Sequence, residues 1–249
     1  MLDDNIRYLA IRLQGPMQSW GLQSRFMMRD TALMPTRSAV MGMCCAALGY
    51  SRGGDEEKQF IRSFNDVKML AISIPRYRRG RVLPVKRLTD FHTILDTITV
   101  NEADLAFDDL AKPQKKAKKH TEENAGAKAT VITHRQYLTD TSFGVVLQGD
   151  DILLQRIAEG LQDPVWGIWL GRKCCIPTAP VYAGLYATRG EAVQSLIGER
   201  SLEEFTRQED ADSFKEGNDS LMDARTSFVC SAGTFSLRRV KTTQAAVKS

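Results

Sequence analysis

Two of the chain's three histidines lie where they could transfer protons near neutral pH. His92 follows Asp90-Phe91, and His134 precedes Arg135. With Tyr137 and nearby lysines they could form a metal-independent ribonuclease site, in which a base takes the 2′-hydroxyl proton and a cation stabilises the charged transition state. The alternative is that the same groups contact RNA or pack at the base of a hairpin. The sequence favours this alternative, because both catalytic roles would have to be placed together.

A polar loop and a helix start form a second candidate site, for phosphate. The segment Gln14–Gly21 places Gln18, Ser19 and Trp20 in a loop punctuated by glycine and proline, and Thr36-Arg37-Ser38 opens an apolar helix. Amides, hydroxyls and a cation beside a helix N-terminus can hold a phosphate chain. Trp20 either stacks on a base or folds onto the core, and the sequence leaves both interpretations open.

Positive charge is concentrated in three further segments. Residues 76–87 contain five arginines and a lysine with no acid, which favours phosphate contacts, although a solvated face is the alternative. In Gly171-Arg172-Lys173, backbone amides and cations could converge on a phosphate. The lysine tract 112–119 is typical of a nonspecific electrostatic arm or of a soluble tip.

Several classes of chemistry are not indicated. The chain has neither a G-x-x-x-x-G-K-[ST] nor a G-x-G-x-x-G motif, so we expect no ATP or dinucleotide cofactor. The five cysteines include no Cys-x-x-Cys pair, and we interpret them as reduced thiols. The acids Glu209, Asp210 and Asp212 are predicted to lie on a charged surface helix or loop, and we expect no metal site.

The composition is that of an ordinary globular protein. The chain has 249 residues, 43% of them apolar, and a net charge of +4, which permits a nucleic-acid partner without requiring one. Its longest uncharged runs are shorter than the ~20 apolar residues that cross a bilayer, and Asp3 and Asp4 occupy the place of a signal peptide's basic region. We therefore expect a cytoplasmic protein.

The elements that must position these residues follow from periodicity and punctuation. In the first half we predict a strand at 6–13, a long loop at 14–36, a helix from Thr36 or Ser38 to about Leu48, a helix at 55–65 and a strand at 67–74. In the second half we predict a core strand at 143–147, a helix at 150–161 capped by Asp150 or Asp151, a strand at 181–186, a helix at 189–197 and a strand at 226–240.

Between these halves, two β-branched segments flank a polar one. The simplest geometry pairs residues 88–100 with residues 130–138 in a long hairpin whose lysine-rich tip, 101–129, we expect to be mobile. The order of all elements predicts a single α+β domain over 1–249, with a ferredoxin-like βαββαβ core and a C-terminal extension at 198–249. Such a sheet is a common RNA platform.

Five segments, in this order along the chain, resemble the Cas5 family of CRISPR-associated proteins, in its CasD (Cas5e) branch from type I-E Cascade complexes. They are 12–21, 35–42 with 47–49, 90–93, 135–140 and 170–174. The resemblance implies a ferredoxin-like, RRM- or RAMP-type fold with a protruding hairpin, the thumb, where 88–138 lies. No motif of the family is matched beyond Cys175.

The same resemblance implies a non-catalytic subunit that caps the 5′ handle of the CRISPR RNA in antiviral defence. The implied partners are a Cas7-type backbone subunit, a Cas8/Cse1-type large subunit, a Cse2/Cas11-type small subunit and target DNA near the thumb. The implied RNA-binding residues are Gln18, Ser19, Trp20, Thr36, Arg37, Ser38, Lys86, Arg87, His92, Arg135, Arg172 and Lys173. A related type I-C branch cuts the precursor RNA itself, which keeps the endoribonuclease as the alternative.

Overall fold

The computed structural model describes residues 5–21, 24–25, 27–79, 81–97, 129–229 and 235–245, and these form an α+β fold. The helices are α1 (Arg37–Ala47), α2 (Asp55–Asn65), α3 (Asp151–Gln162) and α4 (Arg189–Ile197). The strands are β1 (Ile6–Gln18), β2 (Ser24–Arg25), β3 (Met28–Arg29), β4 (Lys68–Ile74), β5 (Arg76–Arg78), β6 (Arg81–Leu83), β7 (Lys86–Thr97), β8 (Ala129–Asp150), β9 (Tyr182–Tyr186), β10 (Arg207–Asp210), β11 (Asp219–Arg225) and β12 (Phe235–Thr243).

One large, mainly antiparallel sheet organises the described residues. Its main path runs β11–β12–β10–β4–β8–β1–β9, and β7 and β3 also pair with β8. Side chains alternate between the two faces of a strand, so Leu9, Ile11 and Leu13 of β1 join a core under α1, α2 and α3. Ala10 lies on the opposite face, in a smaller core that includes Val193 and Leu196 of α4.

The first strand is longer than predicted. We expected a strand at 6–13 and a loop at 14–36, whereas β1 continues to Gln18, and β2, β3 and a bridge between Trp20 and Ala32 follow it. The reason is tertiary, because the 22-residue strand β8 offers backbone partners as far as Leu138, which pairs with Gln18. The predicted core strand at 143–147 lies within β8 and is buried along its whole length.

The helix predictions are confirmed, and local signals explain three of them. The Asp150 side chain accepts the Leu153 N–H at 3.1 Å and caps α3. Thr188 and Glu191 form a capping box at the start of α4. Three acids open α2. At α1, Thr36 occupies the cap position as predicted but makes no capping hydrogen bond with its side chain.

The predicted pairing of 88–100 with 130–138 is present where both strands are described. β7 and β8 pair from Lys86 opposite Thr139 to Thr97 opposite Ala129. The tip from 101 to 128, with its lysine tract, lies outside the described residues.

The C-terminal region adds two strands that the sequence did not predict, β10 and β11, and a third, β12, that overlaps the predicted strand at 226–240. Glu209 and Asp210 lie on β10, between β4 and β12, and not on a surface helix or loop. The strand predicted at 226–240 begins at Phe235 and continues to Thr243. Residues 226–229 are not in a strand, and Phe228 packs against the core.

Candidate nucleic-acid interface

A groove of about 1000 Å³ runs between helix α1 and the loop 166–173. We call it the aromatic groove. It combines cations, aromatic rings and small residues of α1. The cations among its lining residues are Arg29, Arg52, Arg172, Lys173 and Arg225, and Glu57 is the acid. Because the cations outnumber the acid and Glu57 is only 1% exposed, the groove favours an anionic ligand.

Close backbone packing fixes the loop that carries Arg172 and Lys173. Gly171 has a φ of +97°, and a Cβ built on it would lie 1.8 Å from the Ser19 carbonyl oxygen. The Ser19 N–H donates to the Leu170 carbonyl at 3.0 Å, and the Leu170 N–H donates to the Cys175 carbonyl at 2.8 Å. A glycine is therefore required at 171, since it lets the loop lie against the end of β1.

Arg172 is held in one orientation by contacts from three directions. Its guanidinium donates to the Gln136 carbonyl at 3.1 Å and to the Arg29 carbonyl at 2.8 Å. It also lies 4.7 Å from the centre of the Tyr137 ring. The charge is half-buried but has no acidic partner among the described residues, so it stays available to neutralise a phosphate at the groove.

Aromatic rings line the same groove. Trp166 and Phe235 are 43% and 40% exposed, and Lys173 lies 5.8 Å from the Trp169 ring centre. Arg225 lies over Phe228 and Phe235, at 5.2 and 4.9 Å from their ring centres. Exposed aromatic rings beside cations suit a single-stranded nucleic acid. Each base can stack on a ring, and each phosphate charge can be neutralised by a cation.

The structure buries the segment around Trp20 that the sequence predicts as a phosphate loop. Trp20 is fully buried and packs edge-on against Phe143, with ring centres 6.4 Å apart. Gln18 is also fully buried, and its amide donates to the carbonyls of Leu13 and Thr141. Ser19 is 3% exposed but touches the aromatic groove. Of the two interpretations of Trp20, packing onto the core is the one observed.

The helix start at Thr36-Arg37-Ser38 is also buried. Arg37 is 4% exposed and donates to the Asp210 carboxylate at 3.0 Å and to the Phe64 and Asn65 carbonyls at the end of α2. Thr36 is 2% exposed, whereas Ser38 is 8% exposed and lines the aromatic groove. The guanidinium of Arg37 therefore donates to groups inside the protein, and its predicted contact with RNA stays a prediction.

Arg37 belongs to a buried cluster of four charges that sequence reasoning missed. Asp223 accepts the backbone N–H of Arg37 at 2.8 Å and caps α1 from strand β11. Arg238 donates to both oxygens of Asp223, at 2.8 and 2.7 Å, and also to Asp210. Asp210 in addition accepts the Met69 N–H at 2.7 Å. We call these four residues the inner charge cluster; it joins α1, β4, β10, β11 and β12.

The electrostatics of the inner charge cluster differ between its two arginines. Burial lowers the pKa of the Arg37 guanidinium, although Asp210 opposes this effect. Burial also acts against Arg238, but hydrogen bonds and charge from Asp223 and Asp210 outweigh it and raise the pKa of Arg238. Both arginines stay charged at any physiological pH, so the cluster is a constant structural link.

The remaining predicted residues lie along the hairpin. Lys86 and Arg87 are exposed at its base, and Arg135 is half-buried, with its Nε donating to the Thr133 hydroxyl at 3.2 Å. The His92 side chain is 46% exposed, with Nδ1 3.8 Å from an Asp90 oxygen. Arg135 of β8 lies next to Arg29 of β3 in the parallel pairing of these strands, and Arg29 lines the aromatic groove. Lys86 lines a different cleft.

The two histidines do not meet. His92 lies opposite Thr133, and His134 lies opposite Phe91, so successive side chains place them on opposite faces of the hairpin. Tyr137 is 4% exposed and shares the face of His92, but lies four residues further along β8 than the position opposite His92, roughly 14 Å away at 3.4 Å per residue. Burial and the nearby Cys174 thiol raise the pKa of Tyr137.

Four of the five cysteines lie in the described part of the chain. Cys44, Cys45, Cys174 and Cys175 are free, and Cys174 is the exposed one of these four. Burial raises the pKa of Cys175 to about 12, with the charge of Cys174 adding to it. Among the described residues, no group of three or more potential ligands could hold a metal ion, and no helix is long and apolar enough to cross a membrane.

Comparison with known proteins adds a family to this geometry. A family profile described as CRISPR-associated protein (Cas_Cas5) matches residues 8–241. The Cascade subunit CasD of the Escherichia coli CRISPR system (strain K12) is 28% identical over 183 residues, which cover 71% of this chain and 70% of that protein.

Two solved structures are similar over most of the chain. One belongs to a CRISPR RNA-guided surveillance complex, with 26% identity and a TM-score of 0.65, covering 96% of this chain and 90% of the other. The second, described as a Cas protein, has 26% identity and a TM-score of 0.59, covering 96% and 94%.

Proposed function

Because the chain belongs to the Cas5 family of CRISPR-associated proteins, we propose that it is a Cascade subunit whose aromatic groove binds the 5′ handle of the CRISPR RNA. The handle is single-stranded, and its unstacked bases can be held on aromatic side chains. In this role the protein caps the guide of a surveillance complex in antiviral defence.

One observation carries the proposal: Arg172 is fixed beside a set of exposed rings. Its two carbonyl contacts and the Tyr137 ring hold the guanidinium at the groove, where it needs no reorganisation to meet a phosphate. Lys173 and Trp169 from the same loop supply a second charge and a ring. Stacking of one base on such a ring is worth about 1–3 kcal/mol.

The separation of His92 and His134 supports a role in binding without cutting. A general base and the group that stabilises the transition state must both lie within hydrogen-bond reach of the reacting atoms. Two histidines on opposite faces of the hairpin cannot share one linkage, and Tyr137 is buried with a raised pKa. We infer that cutting of the precursor belongs to another protein.

The partners follow from the same family role. We infer contacts with a Cas7-type backbone subunit, with a Cas8/Cse1-type large subunit and with a Cse2/Cas11-type small subunit, in the cytoplasm. The β7–β8 hairpin is the thumb in this interpretation, with target DNA beside it. Lys86, Arg87 and His92 are exposed along the hairpin and suit contacts with a nucleic-acid backbone.

The core topology supports the ferredoxin-like interpretation of the fold. Four neighbouring strands have the order β4–β8–β1–β9, all antiparallel to their neighbours. Helix α1 lies between β1 and β4 in the chain, and α3 lies between β8 and β9. This is the order of a split βαβ unit repeated twice.

The first test uses purified protein, a chelator and end-labelled CRISPR repeat RNA, with binding and cleavage read from the same samples. We expect binding without cutting. Lys173→Ala and Trp169→Ala should each weaken binding about tenfold, which is ~1.4 kcal/mol. Lys215→Ala is the matched control, since Lys215 is exposed and lies outside the groove.

Two results would contradict the proposal. Site-specific cleavage that His92→Ala or His134→Ala abolishes would make the protein a processing endoribonuclease. Equal RNA affinity in wild type, Lys173→Ala and Trp169→Ala would remove the aromatic groove as the binding site.

A further inference from the structure

We propose that a second cleft, at the base of the hairpin, binds an extended, acidic segment of a partner protein. This inference rests on the proposed role as a subunit of a larger complex. The cleft has a volume of about 1040 Å³ and lies among residues 73–77, 82–86, 139–142, 204, 206 and 245. We call it the basal cleft. It shares no lining residue with the aromatic groove.

The basal cleft presents aliphatic side chains to solvent. Tyr77 and Val82 lie directly opposite each other on β5 and β6 and are 56% and 58% exposed. Val85, which is 44% exposed, and Leu83, which is 36% exposed, continue the apolar lining. A continuous exposed apolar lining of this kind marks an interaction site, because burying it on a partner removes it from water.

The two strands that carry this lining have unused backbone edges. Among the described residues, β5 and β6 pair with each other and with no other strand. A two-stranded hairpin is at best marginally stable in water, so a partner that packs on it would stabilise it. Open strand edges accept an extended segment through backbone hydrogen bonds, with side-chain pockets setting specificity.

The lining of the basal cleft carries two cations, Arg76 and Lys86, and two acids, Asp140 and Glu204. The excess of positive charge comes from the arginines of the β5–β6 hairpin beside the lining, and it favours an acidic partner. Residues 76–87 contain six cations and no acid. Arg76 is paired with Asp140 at 3.0 Å, whereas Arg79 and Arg81 are exposed and have no acidic partner in the described part of the chain. Like charges repel a basic segment here, and an acidic one gains affinity and association rate.

The chemistry of the lining favours a protein over RNA. Val82, Leu83 and Val85 are aliphatic and present no flat ring on which a base could stack, unlike the rings of the aromatic groove. Tyr77 is the single aromatic residue among the lining residues of the basal cleft. An extended segment with alternating acidic and apolar side chains would pair with the open strand edges. Its apolar side chains would cover the aliphatic lining, and its acidic side chains would meet the exposed arginines.

The test places the photo-crosslinking residue p-benzoylphenylalanine at Val82, in the full complex assembled with guide RNA and the cognate Cascade subunits. The matched control position is Ile152 on α3, which is 76% exposed and lies outside both clefts. We expect position 82, and not position 152, to crosslink to a peptide of a partner protein that contains both acidic and apolar residues.

A second measurement tests the charge. Arg81→Glu and Val82→Glu should each weaken binding of the purified partner subunit about tenfold, and should leave guide RNA affinity unchanged. Ile152→Glu should change neither. A crosslink to RNA, a crosslink to a peptide without acids, or no crosslink in the assembled complex overturns the inference, as does failure of any complex to assemble. Loss of the aromatic groove's role with the Val82 crosslink intact would instead overturn the proposed function alone.

Discussion

Arg37 and Arg172 look alike in the sequence, where each lies in a polar motif beside small residues, yet the fold uses them in opposite ways. Arg37 is 4% exposed and gives its donors to Asp210 and to the end of α2. Arg172 gives its donors to two backbone carbonyls and has no acidic partner among the described residues. One arginine is neutralised inside the protein, and the other keeps its charge for a ligand.

The difference lies in which acids the fold brings near. Asp210 and Asp223 reach Arg37 from strands more than 170 residues away in the chain. Around Arg172 the structure brings carbonyls and rings, which orient a guanidinium without cancelling its charge. A motif with an arginine therefore indicates a phosphate site only when the tertiary structure leaves that charge uncompensated.

The largest effect should come from breaking the inner charge cluster. Arg37→Ala leaves Asp210 with one fewer cation and removes the donors to the end of α2, and we expect a loss of about 3–5 kcal/mol in the free energy of unfolding, measured with urea. Arg87→Ala, at an exposed position, is the control and should change it by less than about 0.5 kcal/mol. An Arg37→Ala protein of wild-type stability would contradict the comparison.

A smaller loss should follow from Gly171→Ala. The residue has a φ of +97°, and its new Cβ would meet the Ser19 carbonyl, so the loop must move. We expect roughly 1–3 kcal/mol of destabilisation together with weaker RNA binding, from thermal unfolding and from titration with labelled repeat RNA. Gly190→Ala on α4 is the matched control, because nothing lies within 4 Å of its Cβ. Equal effects of both substitutions would show that the close approach at 171 is not what holds the loop.

Arg172→Ala should separate binding from stability. We expect RNA affinity to fall about tenfold and the dependence of log affinity on log salt to weaken by about one phosphate contact. Stability should fall by only about 1 kcal/mol, since two neutral carbonyls lose a donor at a half-exposed site. Arg172→Lys keeps the positive charge but loses the planar guanidinium, which can make two parallel hydrogen bonds to a phosphate. This variant should bind RNA with intermediate affinity. If Arg172→Ala unfolds as readily as Arg37→Ala, the two arginines have the same role.

The smallest effects should come from the thiols. Burial, aided by the charge of Glu57, raises the pKa of Cys45 to about 12 from an ordinary value of 9.0. The folded state binds the thiol proton of Cys45 more tightly than the unfolded state does. The contribution of this proton to the free energy of unfolding is therefore intact below pH 9.0 and declines as the pH rises towards about 12. The free energy of unfolding, measured with urea, should be lower at pH 10 than at pH 8. The difference between the two pH values should be smaller in Cys45→Ala.

Alkylation provides an independent check on the same thiols. In native protein at pH 8, we expect Cys174 to be labelled before Cys44, Cys45 and Cys175, since it is the exposed one of these four. Peptide mapping by mass spectrometry reads the order. Simultaneous labelling of Cys45 and Cys174 would mean that the core around α1 opens as easily as the surface loop.

Local elements were predictable because their signals are local. The acidic start of α2, the Asp150 cap of α3 and the capping box of α4 are each written within a few residues of the helix that they begin. The hairpin of 88–100 with 130–138 followed from β-branched runs on either side of a polar segment. The residues of the aromatic groove are predicted only in part. The sequence points to Ser19, Ser38, Arg172 and Lys173, but not to Trp166, Trp169, Phe228 and Phe235.

The sequence by itself therefore determined the helices, the central strands and the cationic loop at 171–173, since periodicity, caps and glycine act over a few residues. The tertiary structure decided which charges remain available. Trp20 and Arg37 are buried because β8 extends β1, and because β10, β11 and β12 bring Asp210, Asp223 and Arg238 to the start of α1. Those contacts join residues far apart in the chain, and no local pattern records them.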